Sequence, residues 1–309
     1  MPSRRVLVTG GKGQVGRALQ RVLPGALYLS SAVCDLRDLQ QTKQLFEGYS
    51  PDYVIHLAAK VGGIKANMEN LGAFYTDNVY INTNVLDCAR DTGVKKVVSL
   101  LSTCVYPDEA VYPLQEDQIH NGKPHASNYA YAYAKRMLDV QSRAYRDQYG
   151  CNFITIVPNN LFGEHDNFDL DDSHVIPAII RKMHEANLSG QDVTLWGDGS
   201  PLREFTYSGD LARILLFVME AYDGDIPLNV GNTQEISIKE VAYLISDLIN
   251  FKGDIVWDTS KPAGQHRKPS DNSNFLKLGW KKSDYSNFKD SLSKVCEWFI
   301  MNYPEARGT

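Results

Sequence analysis

The sequence predicts an α/β fold with a doubly wound parallel sheet and a smaller α/β portion after it. Short apolar runs alternate with helical patterns through the first half of the chain. A glycine-rich turn directly follows the first apolar run, and the pattern changes to acidic loops and mixed short elements after about residue 160. Because parallel strands need crossover connections, usually helices, this alternation indicates βαβ units and a Rossmann-like sheet.

Composition narrows the class of protein. The chain has 309 residues, of which 43% are hydrophobic and 22% charged, as is typical of a globular protein. The formal charge of −5 argues against non-specific nucleic-acid binding, which requires the neutralisation of many phosphates. No apolar stretch approaches the length of a membrane span, and the first apolar run is too short for a signal peptide. Five scattered cysteines without a C-x-x-C pair indicate reduced thiols, so we expect a cytoplasmic protein.

The apolar patterns predict the elements in chain order. In the first half they predict strands at 5–9, 26–30, 53–56, 94–101 and 153–157, and helices at 14–23, 38–48, 66–91 and 129–149. In the second half they predict helices at 174–187, 208–222, 237–250 and 287–302, and strands at 193–196, 227–230 and 254–257. We expect this second portion, with a polar loop at 264–274, to pack at the carboxyl ends of the first sheet's strands. Open α/β sheets bind their ligands there.

The glycine-rich turn is the first candidate site. Gly10 permits a tight turn, Gly13 permits close approach of a pyrophosphate, and Gly16 permits close helix–strand packing. The following helix offers free N–H groups to an anion. An ordinary glycine turn is the alternative, but the position between a strand and a helix favours a dinucleotide. We expect contacts from Gly10, Gly11, Lys12, Gly13, Gln14, Val15 and Gly16.

The second predicted strand bears on which nicotinamide cofactor is bound. NAD enzymes of this build usually place an acidic residue at its end, to bind the ribose hydroxyls. Here the chain has Leu29, Ser30 and Ser31, and Lys12 lies in the glycine turn. The missing acid and the nearby cation favour NADP, although no arginine follows this strand and Lys12 could equally be a solvated surface charge.

Tyr131 and Lys135 lie four residues apart on the predicted helix 129–149, and so share one face. A nearby ammonium and a positive nicotinamide ring would lower the pKa of the phenol and let it exchange a proton with substrate. Ser102 ends the predicted strand 94–101, where a catalytic hydroxyl could bind the same substrate oxygen. The alternative is a helix that uses its tyrosines for packing.

The order and spacing of these motifs resemble the short-chain dehydrogenase/reductase superfamily, and its extended, nucleotide-sugar branch in particular. Leu57-Ala58-Ala59, the stretch 203–210 (REFTYSGD) and the stretch 228–231 (LNVG) also look like that branch. The resemblance covers nearly the whole chain. It implies an NADP-binding domain over 1–160 and a GDP-sugar-binding portion over 161–309, with the chain crossing between them. It also implies cofactor contacts from Asp35, Leu36, Leu57, Ala58, Ala59, Lys135, Pro158, Asn160, Leu161 and His174.

Three segments resemble GDP-L-fucose synthases more closely: 102–107 (STCVYP), 158–168 (PNNLFGEHDNF) and 173–177 (SHVIP). That family is expected to epimerise GDP-4-keto-6-deoxy-D-mannose at carbons 3 and 5 and then reduce carbon 4 with NADPH. The resemblance implies Cys104 as base and His174 as acid, beside Ser102, Tyr131 and Lys135. Cys104 could otherwise be a small buried hydrophobe, and His174 or Ser173 could simply cap the next helix.

The same resemblance implies substrate contacts from Asn160, Lys182, Trp196, Arg203 and Lys268. The chain departs from the family at Ala263, before Gly264, where relatives commonly carry aspartate. The family also implies a homodimer through a four-helix contact of the long helices at 66–91 and 129–149. We expect no metal, because the seven histidines form no cluster with ligand spacing.

Two alternatives stay open at this stage. One is another nucleotide-sugar epimerase, dehydratase or 4-reductase of the same superfamily. The other is a non-catalytic NADP-binding sensor, although such proteins typically lose the tyrosine–lysine pair that this chain retains.

Overall fold

A computed structural model describes residues 4–261 and 266–309. In chain order the strands are β1 (Val6–Thr9), β2 (Leu27–Tyr28), β3 (Tyr53–His56), β4 (Lys96–Leu100), β5 (Phe153–Val157), β6 (Asn160–Phe162), β7 (Val193–Trp196), β8 (Leu202–Tyr207), β9 (Leu228–Asn229), β10 (Glu235–Ser237) and β11 (Ile255–Asp258). The α-helices are α1 (Gln14–Val22), α2 (Leu39–Tyr49), α3 (Ile64–Glu69), α4 (Leu71–Asp91), α5 (Tyr129–Tyr149), α6 (Val175–Ser189), α7 (Ser208–Ala221), α8 (Ile238–Leu248), α9 (Ser273–Lys277) and α10 (Phe288–Asn302).

The main sheet has the order β2-β1-β3-β4-β5-β9, and every pair in it is parallel. β1 lies between β2 and β3, so the direction of winding reverses next to β1. Ligands of open α/β sheets bind in the crevice at such a switch point, beyond the carboxyl ends of the strands. The expected doubly wound parallel sheet is thus confirmed.

Helices cover both faces of this sheet, and alternate strand residues point to opposite sides. Val6 and Val8 belong to the core beneath α1 and α7, whereas Leu7 belongs to the core beneath α2, α4 and α5. All three side chains are buried. A parallel sheet that is covered on both faces requires strands of nearly continuous apolar residues, and the VLVT sequence of β1 meets that requirement.

Smaller sheets and three helices form the second portion. β10, β8 and β6 make one sheet, β11 and β7 pair separately, and α6, α8 and α10 enclose a third apolar core. Two predicted elements, the helix at 208–222 and the strand at 227–230, were wrongly assigned to this portion. The structure places them as α7 and β9 on the main sheet, because their apolar residues pack in the core beneath α1.

The predicted long helix at 66–91 is also wrong, because α3 and α4 are separate helices. Asn70 between them has φ −130° and ψ 35°, which is not helical. Its side-chain amide donates to the carbonyl of Ala66 at 3.1 Å. Asparagine competes for backbone hydrogen bonds in this way, and so favours helix ends over helix interiors.

A chain of buried hydrogen bonds joins the ends of β1 and β3 to the helix layer. The Thr9 hydroxyl accepts from the backbone N–H groups of Leu57 and Ala58 and lies 2.8 Å from His56 Nδ1. His56 Nε2 lies 3.0 Å from Asn82 Oδ1, and the Asn82 amide donates to the carbonyl of Ala134. Since Thr9 already accepts twice, its O–H donates to Nδ1 and the Nε2–H donates to Asn82.

Burial lowers the pKa of His56 from 6.5 to about 3, and the charge of Lys135 adds to that shift. We therefore expect the protein to lose stability as pH falls below 6.5, since only the unfolded chain binds the proton there. Between pH 7 and pH 5 this residue contributes about 2 kcal/mol to the loss. In His56→Gln, the free energy of unfolding measured in urea should depend less on pH than in the wild type. The variant should also be less stable than the wild type at pH 7. His125→Gln, at an exposed site, is the control. An unchanged slope in His56→Gln would contradict the assignment.

Candidate active site

A cleft of about 890 Å³ opens at the carboxyl ends of the main sheet. The loops after β1, β3, β4 and β5 contribute to its wall, as do α5 and the start of α6. Most of the residues expected to bind cofactor line it. They are Gly10, Lys12, Gly13, Gln14, Val15, Gly16, Asp35, Leu36, Leu57, Ala58, Ala59, Lys135, Pro158, Asn160, Leu161 and His174.

The glycine turn is held against the loop after β3. Gly10 has φ +69°, and an added Cβ would lie 2.9 Å from the Ala58 nitrogen. A Cβ on Gly16 would lie 2.6 Å from the Gly10 carbonyl oxygen. Neither position accepts a side chain, because backbone atoms fill the space. Gly11 does not line the cleft; its N–H donates to the Leu29 carbonyl beneath the turn.

The start of α1 is suited to an anion. Gly13 is the N-cap and provides no side-chain hydrogen bond, and the first turn contains no acidic residue. The N–H groups at the start of α1 are therefore not occupied by a carboxylate of the helix's own first turn. Lys12 is exposed at the cleft edge beside them.

The far end of the cleft contains a cation that the sequence did not reveal. Arg37 lines the cleft and binds Asp35 through two nitrogens, at 2.9 and 2.7 Å. Arg37 lies nine residues beyond the end of β2. In the sequence we looked for a cation directly after this strand, and so we did not identify Arg37. Asp35 and Leu36 reach the cleft in the same loop.

Tyr131 and Lys135 enter the cleft from α5, whereas Tyr129 and Tyr133 line a separate hollow on the outer face. Lys135 is buried, and its ammonium donates to the carbonyl of Leu100 at 2.7 Å. Burial lowers the pKa of Lys135 to about 8. The Lys135 nitrogen lies 5.9 Å from the centre of the Tyr131 ring.

The expected lowering of the tyrosine pKa depends on a bound nicotinamide ring, and it stays a prediction. Burial raises the pKa of the Tyr131 phenol, and the nearby Cys104 raises it further. Desolvation disfavours the charged phenolate, because a buried charge loses its stabilisation by water. Tyr131 is thus a buried phenol whose pKa lies above its usual value.

The turn after β4 brings a hydroxyl and a thiol to the same wall. Ser102 is the N-cap of a 3₁₀ turn over Thr103–Val105, and its Oγ accepts from the N–H of Cys104 at 3.4 Å. Lys268 donates to the Thr103 carbonyl at 3.1 Å. Burial raises the pKa of the Cys104 thiol, whereas Ser102, Lys268 and Lys135 act to lower it. A thiolate formed here would lie beside two ammonium groups.

His174 is the N-cap residue of α6, but its side chain makes no capping hydrogen bond. The Ser173 hydroxyl is buried without a hydrogen-bond partner among the described residues. The capping alternative for these two residues is therefore wrong, and the His174 imidazole lines the cleft.

A buried carboxylate near His174 was missed from the sequence. Asp166 lines the cleft, accepts from the Gln14 amide at 3.1 Å, and accepts from the N–H of Asn167 at 2.8 Å. Burial raises its pKa to about 6, while the charges of His174 and Arg307 act to lower it. It lies in the 158–168 segment that resembled the known family, but no pattern singled it out.

Only some of the residues expected to bind substrate lie close together in the structure. Lys268 lies beside the Cys104 turn, and Arg203 is close enough for its charge to lower the pKa of Lys268. Trp196 is 63% exposed on β7, with the Lys261 ammonium 5.9 Å from the centre of its ring. Lys182 lies on α6 outside the cleft lining. Ala263 and Gly264 lie outside the described residues.

Asn160 faces the cleft, and its amide donates to the Glu204 carbonyl at 2.9 Å. Within residues 4–261 and 266–309 no cluster of histidine, cysteine and acidic residues could hold a metal ion. In the described part of the chain no helix combines the length and apolar character needed to span a bilayer.

Comparison with known proteins adds to this geometry. Residues 6–231 match the model of the NAD dependent epimerase/dehydratase family. The GDP-L-fucose synthase of Dictyostelium discoideum is 44% identical over 98% of each chain. A GDP-L-fucose synthetase structure from Naegleria fowleri, bound to NADP, is 42% identical, with a TM-score of 0.94 over 100% of this chain and 96% of that one. A GDP-6-OMe-4-keto-L-xylo-heptose reductase from C. jejuni is 29% identical, with a TM-score of 0.90 over 98% and 99% of the two chains. From its glycine turn, its cleft and these matches, the chain belongs to the NAD dependent epimerase/dehydratase family.

Proposed function

We propose that this protein converts GDP-4-keto-6-deoxy-D-mannose into GDP-L-fucose, by epimerisation at carbons 3 and 5 and reduction at carbon 4. The observation that carries this proposal is the position of Cys104. The turn after β4 places this thiol on the same cleft wall as Ser102, Tyr131 and Lys135. A reductase alone needs no thiol there, whereas an epimerase needs a second acid–base group.

The residues of the cleft fit NADP. The glycine turn leaves no room for a side chain at Gly10, and the start of α1 offers free N–H groups. Lys12 and Arg37 are cations of the cleft wall that suit a 2′-phosphate. When bound, NADPH supplies the hydride for carbon 4.

Cys104 and His174 would perform the epimerisations. The 4-keto group acidifies the protons on carbons 3 and 5, because the resulting carbanion is stabilised as an enolate. We assign Cys104 as the base that removes each proton, and His174 as the acid that returns one on the other face. Ammonium groups of Lys135 and Lys268 favour the Cys104 thiolate. Asp166, a buried carboxylate of the same cleft, lies close enough to His174 for the two charges to interact.

Tyr131 would complete the reduction. As hydride reaches carbon 4, negative charge develops on the carbonyl oxygen, and Tyr131 donates its proton to form the hydroxyl. Its raised pKa keeps that proton in place until the oxygen becomes basic. Ser102 supplies a second hydrogen bond to the same oxygen, and Lys135 favours the phenolate left behind.

The GDP portion of the substrate would extend from the cleft toward Lys268 and Arg203. Both are cations that burial destabilises, since it lowers the pKa of each. A diphosphate placed between them would offset that cost. Trp196, with its large exposed face, could stack on the base, and Lys182 and Asn160 are further expected contacts.

We infer a homodimer that forms through α4 and α5. Tyr75, Tyr129 and Met137 are exposed on this face, where they line a hollow of about 360 Å³ with Leu71 and Ala130. Exposed tyrosine and methionine are typical of the centre of a protein interface. The free cysteines of the chain support placing the enzyme in the reducing cytoplasm.

The first experiment mixes the protein with NADPH and GDP-4-keto-6-deoxy-D-mannose, follows NADPH absorbance, and identifies the nucleotide sugar by NMR. We expect loss of NADPH with formation of GDP-L-fucose. Formation of GDP-rhamnose would instead indicate a simple 4-reductase. No NADPH loss would favour an epimerase or dehydratase that recycles its cofactor, or a non-catalytic sensor if the substrate is also unchanged.

Two variants should separate the epimerase from the reductase chemistry. Cys104→Ser should slow solvent deuterium incorporation at carbons 3 and 5 by about 10²-fold or more, because it removes the base. Tyr131→Phe should leave that exchange in place but slow NADPH oxidation by about 10²- to 10⁴-fold. NADPH fluorescence should give near-normal cofactor affinity for Cys104→Ser. Full exchange in Cys104→Ser would refute the assignment of the base.

The dimer interface is tested by adding charge to its centre. Tyr75→Glu with Met137→Glu should convert a dimer into a monomer in gel filtration, since buried unpaired carboxylates oppose association. Tyr243→Glu changes an exposed tyrosine on α8 and should leave the dimer intact. A wild-type monomer at micromolar concentration would rule out the interface.

A further inference from the structure

The segment 306–309 is fixed on the loop that carries Asp166. The Arg307 carbonyl accepts from the N–H of Phe168 at 2.9 Å. The Arg181 guanidinium bridges the carbonyls of Phe168 and Gly308. Ala306 is buried in the core around α6, α8 and α10. These contacts determine where the Arg307 side chain begins.

Gly308 shows how closely the segment approaches the loop. Its φ is +87°, and an added Cβ would lie 2.3 Å from Asn167 Oδ1 and 2.5 Å from the Asp169 nitrogen. A larger residue would both strain the backbone and push the segment away from the loop. The position of Arg307 therefore depends on glycine at 308.

The loop in turn lies against the start of α1. Asp166 accepts from the side chain of Gln14, the first residue of that helix. Arg307 lines the cleft together with Gln14 and Asp166. A cation 293 residues from Gln14 in sequence is thus brought to the helix end that would bind the cofactor's diphosphate.

Apart from Lys12, which is exposed in the glycine turn, and Arg307 itself, the lysines and arginines that line the cleft among the described residues have protein partners. Arg37 binds Asp35 and Asp77, Lys60 binds Asp77, and Lys135 binds the Leu100 carbonyl. Among the described residues, the Arg307 guanidinium has neither an ion-pair partner within 4.0 Å nor a side-chain hydrogen bond. An exposed guanidinium without a carboxylate partner is suited to a phosphate that arrives with a ligand.

The charge of Arg307 also matters for the electrostatics at this end of the cleft. Asp166 is a buried carboxylate at the same end of the cleft, and it would repel the phosphates of a dinucleotide. The Arg307 charge acts on Asp166, where it favours the ionised form. A guanidinium near both groups offsets their repulsion.

We propose that Arg307 is a cofactor-binding residue that contacts the diphosphate of NADP(H). The inference rests on the proposed function, since it requires the cleft to be the NADP site. It adds a contact from the far end of the sequence to the glycine turn and the α1 N-terminus.

The test measures dissociation constants by NADPH fluorescence, with competition by ADP-ribose, 2′-AMP and GDP. ADP-ribose contains the diphosphate without the 2′-phosphate, 2′-AMP contains only the 2′-phosphate, and GDP probes the substrate site. We expect Arg307→Met to weaken NADPH and ADP-ribose by roughly tenfold, since a charge-assisted hydrogen bond is removed. Binding of 2′-AMP and GDP should stay unchanged. Arg307→Lys should recover part of the affinity.

Two further variants separate a direct contact from a general effect of charge. Arg17→Met removes one positive charge from α1 outside the cleft lining, and should leave all four affinities near wild type. Gly308→Val keeps the arginine but displaces its segment, and should weaken NADPH and ADP-ribose as Arg307→Met does. Thermal melts check that each variant is folded.

Each other outcome overturns the inference. Equal NADPH affinity in Arg307→Met and wild type would remove Arg307 from the site. Selective loss of 2′-AMP binding would reassign Arg307 to the 2′-phosphate, and selective loss of GDP binding would reassign it to the substrate. If the wild-type protein itself binds no NADPH, the proposed function fails first, and that result is distinct from a failure of Arg307 alone.

Discussion

The close approach of the Gly10 turn to the loop after β3 is the constraint on which the site depends. An added Cβ at Gly10 would meet the backbone of Ala58, and one at Gly16 would meet the Gly10 carbonyl. Thr9 holds the same two loops together through the N–H groups of Leu57 and Ala58. Because three backbone segments meet without side chains between them, α1 begins at the switch point of the sheet and directs its N–H groups into the cleft.

On the cleft wall that contains Tyr131, Cys104 and Lys135, burial shifts the pKa values of the side chains. It raises the pKa of Tyr131 and Cys104 and lowers that of Lys135, so each group is pushed toward its neutral form. Neutral tyrosine is the form that a proton donor needs. For Cys104 the same effect is a cost, which neighbouring ammonium groups offset in part. The cleft thus combines a buried phenol that favours its neutral form with a thiol whose ionisation depends on its cationic neighbours.

The loop between β6 and α6 connects the cofactor end of the cleft to the second portion of the chain. Glu164 binds Arg21 at 2.8 Å, and Asp166 binds Gln14, so two contacts tie this loop to α1. The loop then leads to His174 at the start of α6 and supports the segment that carries Arg307. This one loop therefore contacts or leads to residues from distant parts of the sequence, namely Gln14, His174 and Arg307. The cofactor end of the cleft and His174 share that support.

The sequence alone determined the parallel sheet, the glycine turn and the Tyr131–Lys135 face, because each depends on local periodicity or spacing. β3, β5 and α5 have the predicted bounds for the same reason. Resemblance to a family added Cys104 and His174, which no spacing rule would have selected. Only the tertiary structure decided that α7 and β9 belong to the main sheet, since both faces of a parallel sheet must be covered and the second portion lies beyond its carboxyl ends. It also decided that Arg37, Asp166 and Arg307 reach the cleft. Their placement depends on contacts between residues far apart in the chain, such as Asp166 with Gln14, and neither periodicity nor composition encodes such contacts.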